Sequence, residues 1–490
     1  MVRPLLSITL ALHEAPLFSR RQSEEILNHF LGGVRDLLME NESVALSVYI
    51  AGRFLNIAHQ RKTTLLSQLR TFTEEGRLEW LGGGMYDPLL PILPNKMQSL
   101  QIRAHRRSLE SLVGVRPRGF WLPSTVWEQS LIGLLVREGF EFTLLESDQI
   151  ENATWRTPLS DGYWTVEDRG RVLRILSIDR ELSDQLIAEG AEELMSHFEP
   201  QEAELKSRVL SFSFLRDQRG VYEEQWWDPL RDLVRRLTQW GDRAPQFKVL
   251  SSQIDERLPA VGMNLHSSVG RSLGLDERLH SCRDLLLQQP ESNYLHKRMI
   301  WLWKNIERLP EGRSKKSLEE ALMPVASLYW YRNGKYGGGV RYLEDRAACH
   351  KILNDVELQL RKASQIEGAR FDSVDFLGNG DRQLLYRGDQ FGFLVEPRVG
   401  GRIRSLDYHP HSLSLINGYH PAKPEFPGSV HYAVDSICGL RDWFAPAELN
   451  DVASWLQYLQ DDRGLLQSPH ESNFRIREEG AQVWLSGEQL

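Results

Sequence analysis

Leu5-Leu6-Ser7-Ile8-Thr9-Leu10-Ala11-Leu12 is an eight-residue apolar run, and His13-Glu14 follow it directly. With Arg3 ahead of it the run has the look of a secretory leader, but eight residues are few for one, and a buried first strand is the better reading. The next segments repeat a pattern. Glu24 to Met39 carries Ile26, Phe30, Val34, Leu37 and Leu38 at near-helical spacing, Val44 to Ile50 is again apolar and strand-like, Thr63 to Glu75 is amphipathic, and Leu78 to Leu81 is a short strand. Strands separated by helices have to run parallel, with the helices covering the sheet. The alternation continues through a helix over Gln98 to Val113, a strand over Gly119 to Leu122, a helix over Glu128 to Arg137, a strand over Phe140 to Leu145, and again from Val209 to Val249. Residues 1–265 therefore read as one α/β domain, a barrel or an open sheet.

After Ser251 the strands are expected to stop. Leu279 to Glu307 and Ala347 to Lys362 read as helices, with Met299, Trp303, Ile306 and Leu309 in one apolar stripe that belongs to a core. Residues 266–367 form a helical domain on this reading. From 368 to 490 the pattern is β: Gln383 to Tyr386, Phe391 to Glu396 with Phe391, Phe393 and Val395 alternating, a Gly400-Gly401 turn, Arg402 to Tyr408, and a last strand at Gln482 to Leu485. Asn379-Gly380 within Leu377 to Asp381 is a hairpin turn rather than a metal loop.

The bulk composition narrows the function. At 490 residues the chain exceeds one core, and 41% hydrophobic with 26% charged residues is the composition of a folded globular protein. A net charge of −8 without a long basic run leaves nothing to attract a phosphate backbone, so no nucleic acid partner is expected. No run of 18 apolar residues exists to cross a membrane. Cys282, Cys349 and Cys438 are too few and too dispersed for a disulfide framework or a zinc site, so a reducing cytoplasm is the expected setting and no metal or other cofactor is called for. The 14 Trp and 14 Tyr offer flat faces for sugar rings, although most aromatics in a chain of this size are core.

Generic catalytic motifs are missing. His13-Glu14 lacks the second His of a zinc-peptidase helix, Gly82-Gly83-Gly84 lacks the Lys of a phosphate loop, and there is no Gly-x-Ser-x-Gly elbow. Four longer stretches, in order, are specific. They are Leu81-Gly82-Gly83-Gly84-Met85-Tyr86-Asp87-Pro88, Gly119-Phe120-Trp121-Leu122-Pro123-Ser124-Thr125-Val126-Trp127-Glu128, Pro290-Glu291-Ser292-Asn293-Tyr294-Leu295-His296-Lys297-Arg298-Met299, and Tyr329-Trp330-Tyr331 through Gly337-Gly338. Together they resemble motifs of glycoside hydrolase family 57, the 4-α-glucanotransferase and α-amylase family. Phe391 to Gly401 and Leu440-Arg441-Asp442-Trp443-Phe444 resemble its C-terminal domain.

The resemblance implies an α/β fold: an incomplete (β/α)7 TIM-like barrel, a helical bundle domain, and a β-sandwich cut short at Leu490. It also implies a retaining mechanism with a Glu nucleophile and an Asp acid/base about 5 Å apart. Here the gapless alignment puts Ser124 at the nucleophile position and Leu215 at the acid/base position, and neither can do that work. Glu128, read as an early-helix residue, and Asp217 are the fallback pair. His13, Tyr86, Asp87, Trp127 and Trp330 match groups that would contact sugar, whereas Trp121 reads mainly as core. The expectation is a divergent, catalytically inactive family member that keeps at most α-glucan or maltooligosaccharide binding. The alternatives are an active transferase or hydrolase using Glu128 and Asp217, and an interaction protein without sugar binding, pairing with itself or another chain through the incomplete β domain.

Overall fold

The computed structural model describes residues 3–13, 20–61, 64–151, 162–198, 207–214, 227–257, 259–271, 281–288, 290–331, 343–366, 368–398, 402–416, 472–479 and 482–489. The chain divides into two compact units, Met1–Asp284 with Ala326–Gly337, and Leu285–Val325 with Gly338–Leu490. This partition places the helical and β segments in one unit and returns a short stretch after Val325 to the first.

The first unit is built on parallel strands. β1 (Leu5–Leu12) pairs in parallel with β2 (Leu46–Ile50), and β2 with β3 (Leu78–Trp80). β4 (Gly119–Phe120) pairs in parallel with β5 (Phe142–Glu146); β6 (Tyr163–Asp168) is antiparallel to β7 (Arg171–Ile178), which is itself parallel to β5. β8 (Arg208–Phe214) and the two-residue β9 (Gln246–Phe247) both flank β1 in parallel. All eight residues of β1 are buried, as a strand with covered faces on both sides requires. Helices Arg20–Glu40, Gly52–Arg61 and Thr64–Glu74 supply Leu27, Phe30, Val34, Phe54, Leu55 and Leu69 to the core around it.

Two junctions link the sheets. A parallel bridge between Gly82 and Phe120 joins β3 to β4, with Gly82 N–H donating to Gly119 O at 2.9 Å and Trp121 N–H to Gly82 O at 2.8 Å. At the other edge Asp179 N–H, just past β7, donates to Val209 O of β8 at 2.8 Å. The Gly-Gly-Gly run has a packing reason. A Cβ would lie 2.4 Å from the Phe140 ring at Gly82, 2.4 Å from the Tyr49 ring at Gly83 and 2.1 Å from Pro88 Cδ at Gly84.

One expectation fails here. Strands do not stop at Ser251, because β10 (Pro259–Met263) pairs in parallel with β6. It is short, begins with Pro and contains Gly262, and so carries little of the apolar pattern that marks a strand.

In the second unit helices Pro290–Glu307, Arg313–Leu322 and Leu343–Ala363 pack against one another. Met299, Trp303 and Ile306 are fully buried, while Leu309 lies beyond the helix end. An antiparallel sheet follows in the order β11 (Arg370–Val374), β12 (Gln383–Arg387), β13 (Phe391–Glu396), β14 (Arg402–Tyr408) and β15 (Leu413–Ile416). Asn379-Gly380 sits in the β11–β12 turn, where both backbone N–H groups donate to the Asp375 carboxylate. The alternation along β13 breaks at a bulge between Leu394 and Val395; Phe391 stays exposed, and Leu394 and Val395 are both buried. β16 (Ser472–Glu479) and β17 (Gln482–Gln489) form a separate hairpin.

The Pro290 to Met299 stretch explains itself in this unit. The Arg298 guanidinium, 5% exposed, donates to Asp407 Oδ2 at 2.9 Å, Glu357 Oε2 at 3.0 Å and Asn354 Oδ1 at 2.6 Å. Asn354 Nδ2 in turn donates to Asp407 Oδ1 at 3.2 Å, and Tyr294 O–H to Ser405 Oγ at 2.8 Å. Two helices and one strand are tied at a single buried charge.

Candidate functional site

In parallel α/β sheets ligands collect at the carboxyl ends of the strands. Four such ends meet in the first unit: His13 after β1, Trp121 to Thr125 after β4, Glu146 closing β5, and Ile178 with Arg180 after β7. With Ser211 and Ser213 of β8 they line one cavity of about 20 Å³.

The turn after β4 is strained. Ser124 and Thr125 have φ of 49° and 45°, and Asp87 has 45°, so three of the six described non-glycine residues with positive φ lie in the Leu81 to Pro88 and Gly119 to Glu128 stretches. A left-handed conformation costs roughly 1–2 kcal/mol per residue, and β-branched Thr adopts it rarely. Tertiary hydrogen bonds hold the turn. Gly270 N–H donates to Ser124 O at 3.0 Å, and Trp127 and Ser268 exchange backbone bonds of 2.8 and 3.1 Å. Gln149 Nε2 donates to Thr125 O at 2.9 Å and to Ser268 Oγ at 2.8 Å. The loop ending at Arg271, drawn outside the first domain from sequence, thus completes this site.

Beside the cavity, Asp87 is buried. The Tyr49 hydroxyl donates to its Oδ1, and His13 Nδ1 lies 3.1 Å from its Oδ2. The His13 ring centroid is 5.9 Å from those of both Tyr49 and Trp121. Behind Tyr49, stacked on it at 5.5 Å, the His105 ring is enclosed: its Nε2 lies 2.9 Å from Ile50 O and its Nδ1 accepts Gly83 N–H at 3.3 Å. That pattern requires the neutral Nε2–H tautomer, in accord with burial pulling the His105 pKa down to about 4. A depressed histidine pKa means that the unfolded chain takes the proton first, so this contribution is whole above pH ~6.5 and is lost as pH falls toward about 4. Between pH 7 and 4.5, His105→Gln should therefore lose less unfolding free energy than wild type, by about 2–3 kcal/mol in urea titrations.

The remaining sequence candidates separate. Ser124 lines the cavity. Glu128 does not begin a helix; it precedes Ser130–Arg137, and both its oxygens are taken by Arg283, from Nε at 2.9 Å and Nη2 at 3.1 Å. Tyr86 is half-buried, with its backbone N–H on Gln101 Oε1 at 3.2 Å. Trp127 and Trp330 are essentially fully buried and are not among the cavity-lining residues. Leu215 and Asp217 lie outside the described residues. Among the described residues no group of three or more His, Cys, Asp or Glu could hold a metal ion, and no helix is long and apolar enough to cross a membrane.

Trp121, read mainly as core, is 3% exposed within the hydrophobic core and also lines the cavity. One cavity residue escaped the sequence reading. Glu146 is a 3% exposed carboxyl in the same cavity, and Arg271 N–H donates to its Oε2 at 2.8 Å. Burial raises its pKa, opposed by Arg180 and by the Arg271 N–H. Its only signal in the sequence is a carboxylate ending an apolar strand of a parallel sheet.

Residues 10–238 match the sequence pattern of Glycosyl hydrolase family 57. The chain belongs to glycosyl hydrolase family 57. This family 57 chain is 23% identical over 430 residues to alpha-amylase 1 of Dictyoglomus thermophilum, covering 80% of this chain and 62% of that one. It is also 23% identical over 416 residues to the 4-alpha-glucanotransferase of Thermococcus litoralis, covering 78% and 61%. It spans about six tenths of the length of these curated relatives. Its fold is similar to the crystal structure of the 4-alpha-glucanotransferase from Thermococcus litoralis, with a TM-score of 0.79 at 16% identity over 100% of this chain and 81% of that one. It is less similar to a family 57 branching enzyme from Pyrococcus horikoshii, at 0.52 and 14% over 77% and 94%.

Proposed function

We propose that this family 57 member binds α-glucan and does not turn it over. The observation that carries the reading is Ser124 in the cavity at the position where the family motif has its nucleophile: a neutral hydroxyl there cannot attack an anomeric carbon or stabilise an oxocarbenium ion. Leu215 at the acid/base position supports it from sequence. The bidentate Arg283 pair argues against Glu128 as a displaced nucleophile, since attack would require an oxygen free of that pair. Binding is supported by the strained turn, which keeps its tertiary clamp, and by His13, Asp87 and Tyr49, which remain linked beside the cavity.

The seven mutually parallel strands β1, β2, β3, β4, β5, β7 and β8 are read as an incomplete (β/α)7 barrel closed by the Asp179 to Val209 hydrogen bond. The second unit is read as the family's helical domain with part of its β-sandwich. Buried free Cys282 and Cys349 suit a reducing, cytoplasmic setting.

Calorimetric titration of the full chain with maltoheptaose tests the binding claim. Saturable binding is expected, with Kd on the order of 0.1–1 mM for a few stacked and hydrogen-bonded sugar units. No heat at millimolar sugar would overturn the reading. A second reading, residual turnover, is favoured by one observation, the Glu146 carboxyl in the cavity.

A further inference from the structure

We propose that the cavity bounded by Trp121, Thr125 and Glu146 is a seat for one hydroxyl oxygen of the bound glucan, with Glu146 as acceptor and the Trp121 indole N–H as donor. This rests on the glucan-binding reading and adds to it a residue that lies in none of the family motifs quoted above.

Three observations converge. The first is size: about 20 Å³ is room for about one water-sized oxygen, too small for a ring and suited to a single hydroxyl. The second is unmet polarity. Among the described residues Trp121 Nε1 and Thr125 Oγ1 are buried without a hydrogen-bond partner, and both residues line the cavity. Leaving a buried donor or acceptor unmade costs roughly 1–3 kcal/mol, so an oxygen delivered here relieves a cost the fold already carries. The third is proximity. Thr125 Oγ1 and Glu146 Oε1 lie 2.1 and 2.7 Å from where a Cβ on Gly270 would stand, so the two side chains close together against the Gly270 backbone, and only glycine leaves them that space.

Glu146 is equipped for the role. Its Oε2 is held by Arg271 N–H, which fixes the carboxyl plane, while Oε1 has no hydrogen-bond partner among the described residues. An ionised carboxylate accepts a sugar hydroxyl strongly, and protonation weakens that acceptance. The charged and titratable groups around it are His13 at the end of β1, Asp148 in the Ser147–Glu151 helix, Arg180 and Asp184 in the Arg180–Glu189 helix, and Arg271. The informative quantity is the difference between wild type and a Glu146 variant.

The test is maltoheptaose titration of the full-length wild type, Glu146→Gln and Thr125→Val at pH 5 and pH 8, with thermal unfolding of each. Gln keeps an acceptor for Arg271 N–H, so folding should be retained. The expected result is affinity about tenfold weaker in E146Q at pH 8, with the two pH values differing less than in wild type. T125V should also weaken binding, which keeps the proposal falsifiable if E146Q melts early. Wild-type affinity in both variants would overturn the seat while leaving glucan binding intact, and would assign the cavity to water alone. No binding by wild type would overturn the glucan reading and the seat with it.

Discussion

Replacing Arg298 with Ala should destabilise the second unit by about 3–5 kcal/mol, the cost of stranding buried charges. Asp407 and Glu357, 4% and 8% exposed, would each lose the cation that faces them, and Asn354 would lose its acceptor role. Lys should rescue only part of the loss, because one ammonium cannot span acceptors reached by two guanidinium nitrogens. Adding Asp407→Asn to R298A should recover some stability by removing one of the stranded charges. In thermal unfolding the loss corresponds to a midpoint lower by about 10 °C for a unit of this size. A shift under a degree or two would mean that the knot is not where this unit draws its stability. The stretch closest to the family text is thus accounted for by folding, without any role in chemistry.

The second large effect is a gain. If the missing carboxyls alone separate this chain from an active enzyme, Ser124→Glu with Leu215→Asp should raise maltoheptaose turnover by on the order of 10⁴-fold or more over wild type. S124E alone should do far less, because a nucleophile without an acid leaves the departing oxygen unprotonated. The turn is already left-handed at Ser124, so Glu there meets a conformational cost the clamp from Gly270 and Gln149 already holds. Chromatography of the products gives the readout. A double variant with no more turnover than wild type would show that the mouth differs from an active one by more than two side chains.

What could be read from the sequence divides along physical lines. Strands with both faces covered announce themselves as apolar runs, which is why Leu5 to Leu12 and the segments like it were legible. Pro259 to Met263 was not, since its place in the sheet is set by pairing with Tyr163 to Asp168 and not by its own pattern. The segment after Val325 returns to the first unit through Leu328 N–H on Asp87 O and Leu89 N–H on Ala326 O, long-range bonds that no local pattern announces. Motif matching found Ser124, because there the family text supplies an expectation to violate. It could not find Glu146, whose neighbours Arg271 and Gly270 arrive from a loop more than a hundred residues later. Trp121 reads as core and is core, and its place beside the cavity shows only in the structure.

Turnover separates a glucan binder from an enzyme. Wild-type chain incubated at high concentration with maltoheptaose, with the products resolved by length, is the most direct measurement. The sugar should be recovered at its original length. Shorter or longer maltooligosaccharides that disappear when Glu146 is changed to Gln would contradict it, and would make the carboxyl in the mouth a catalyst.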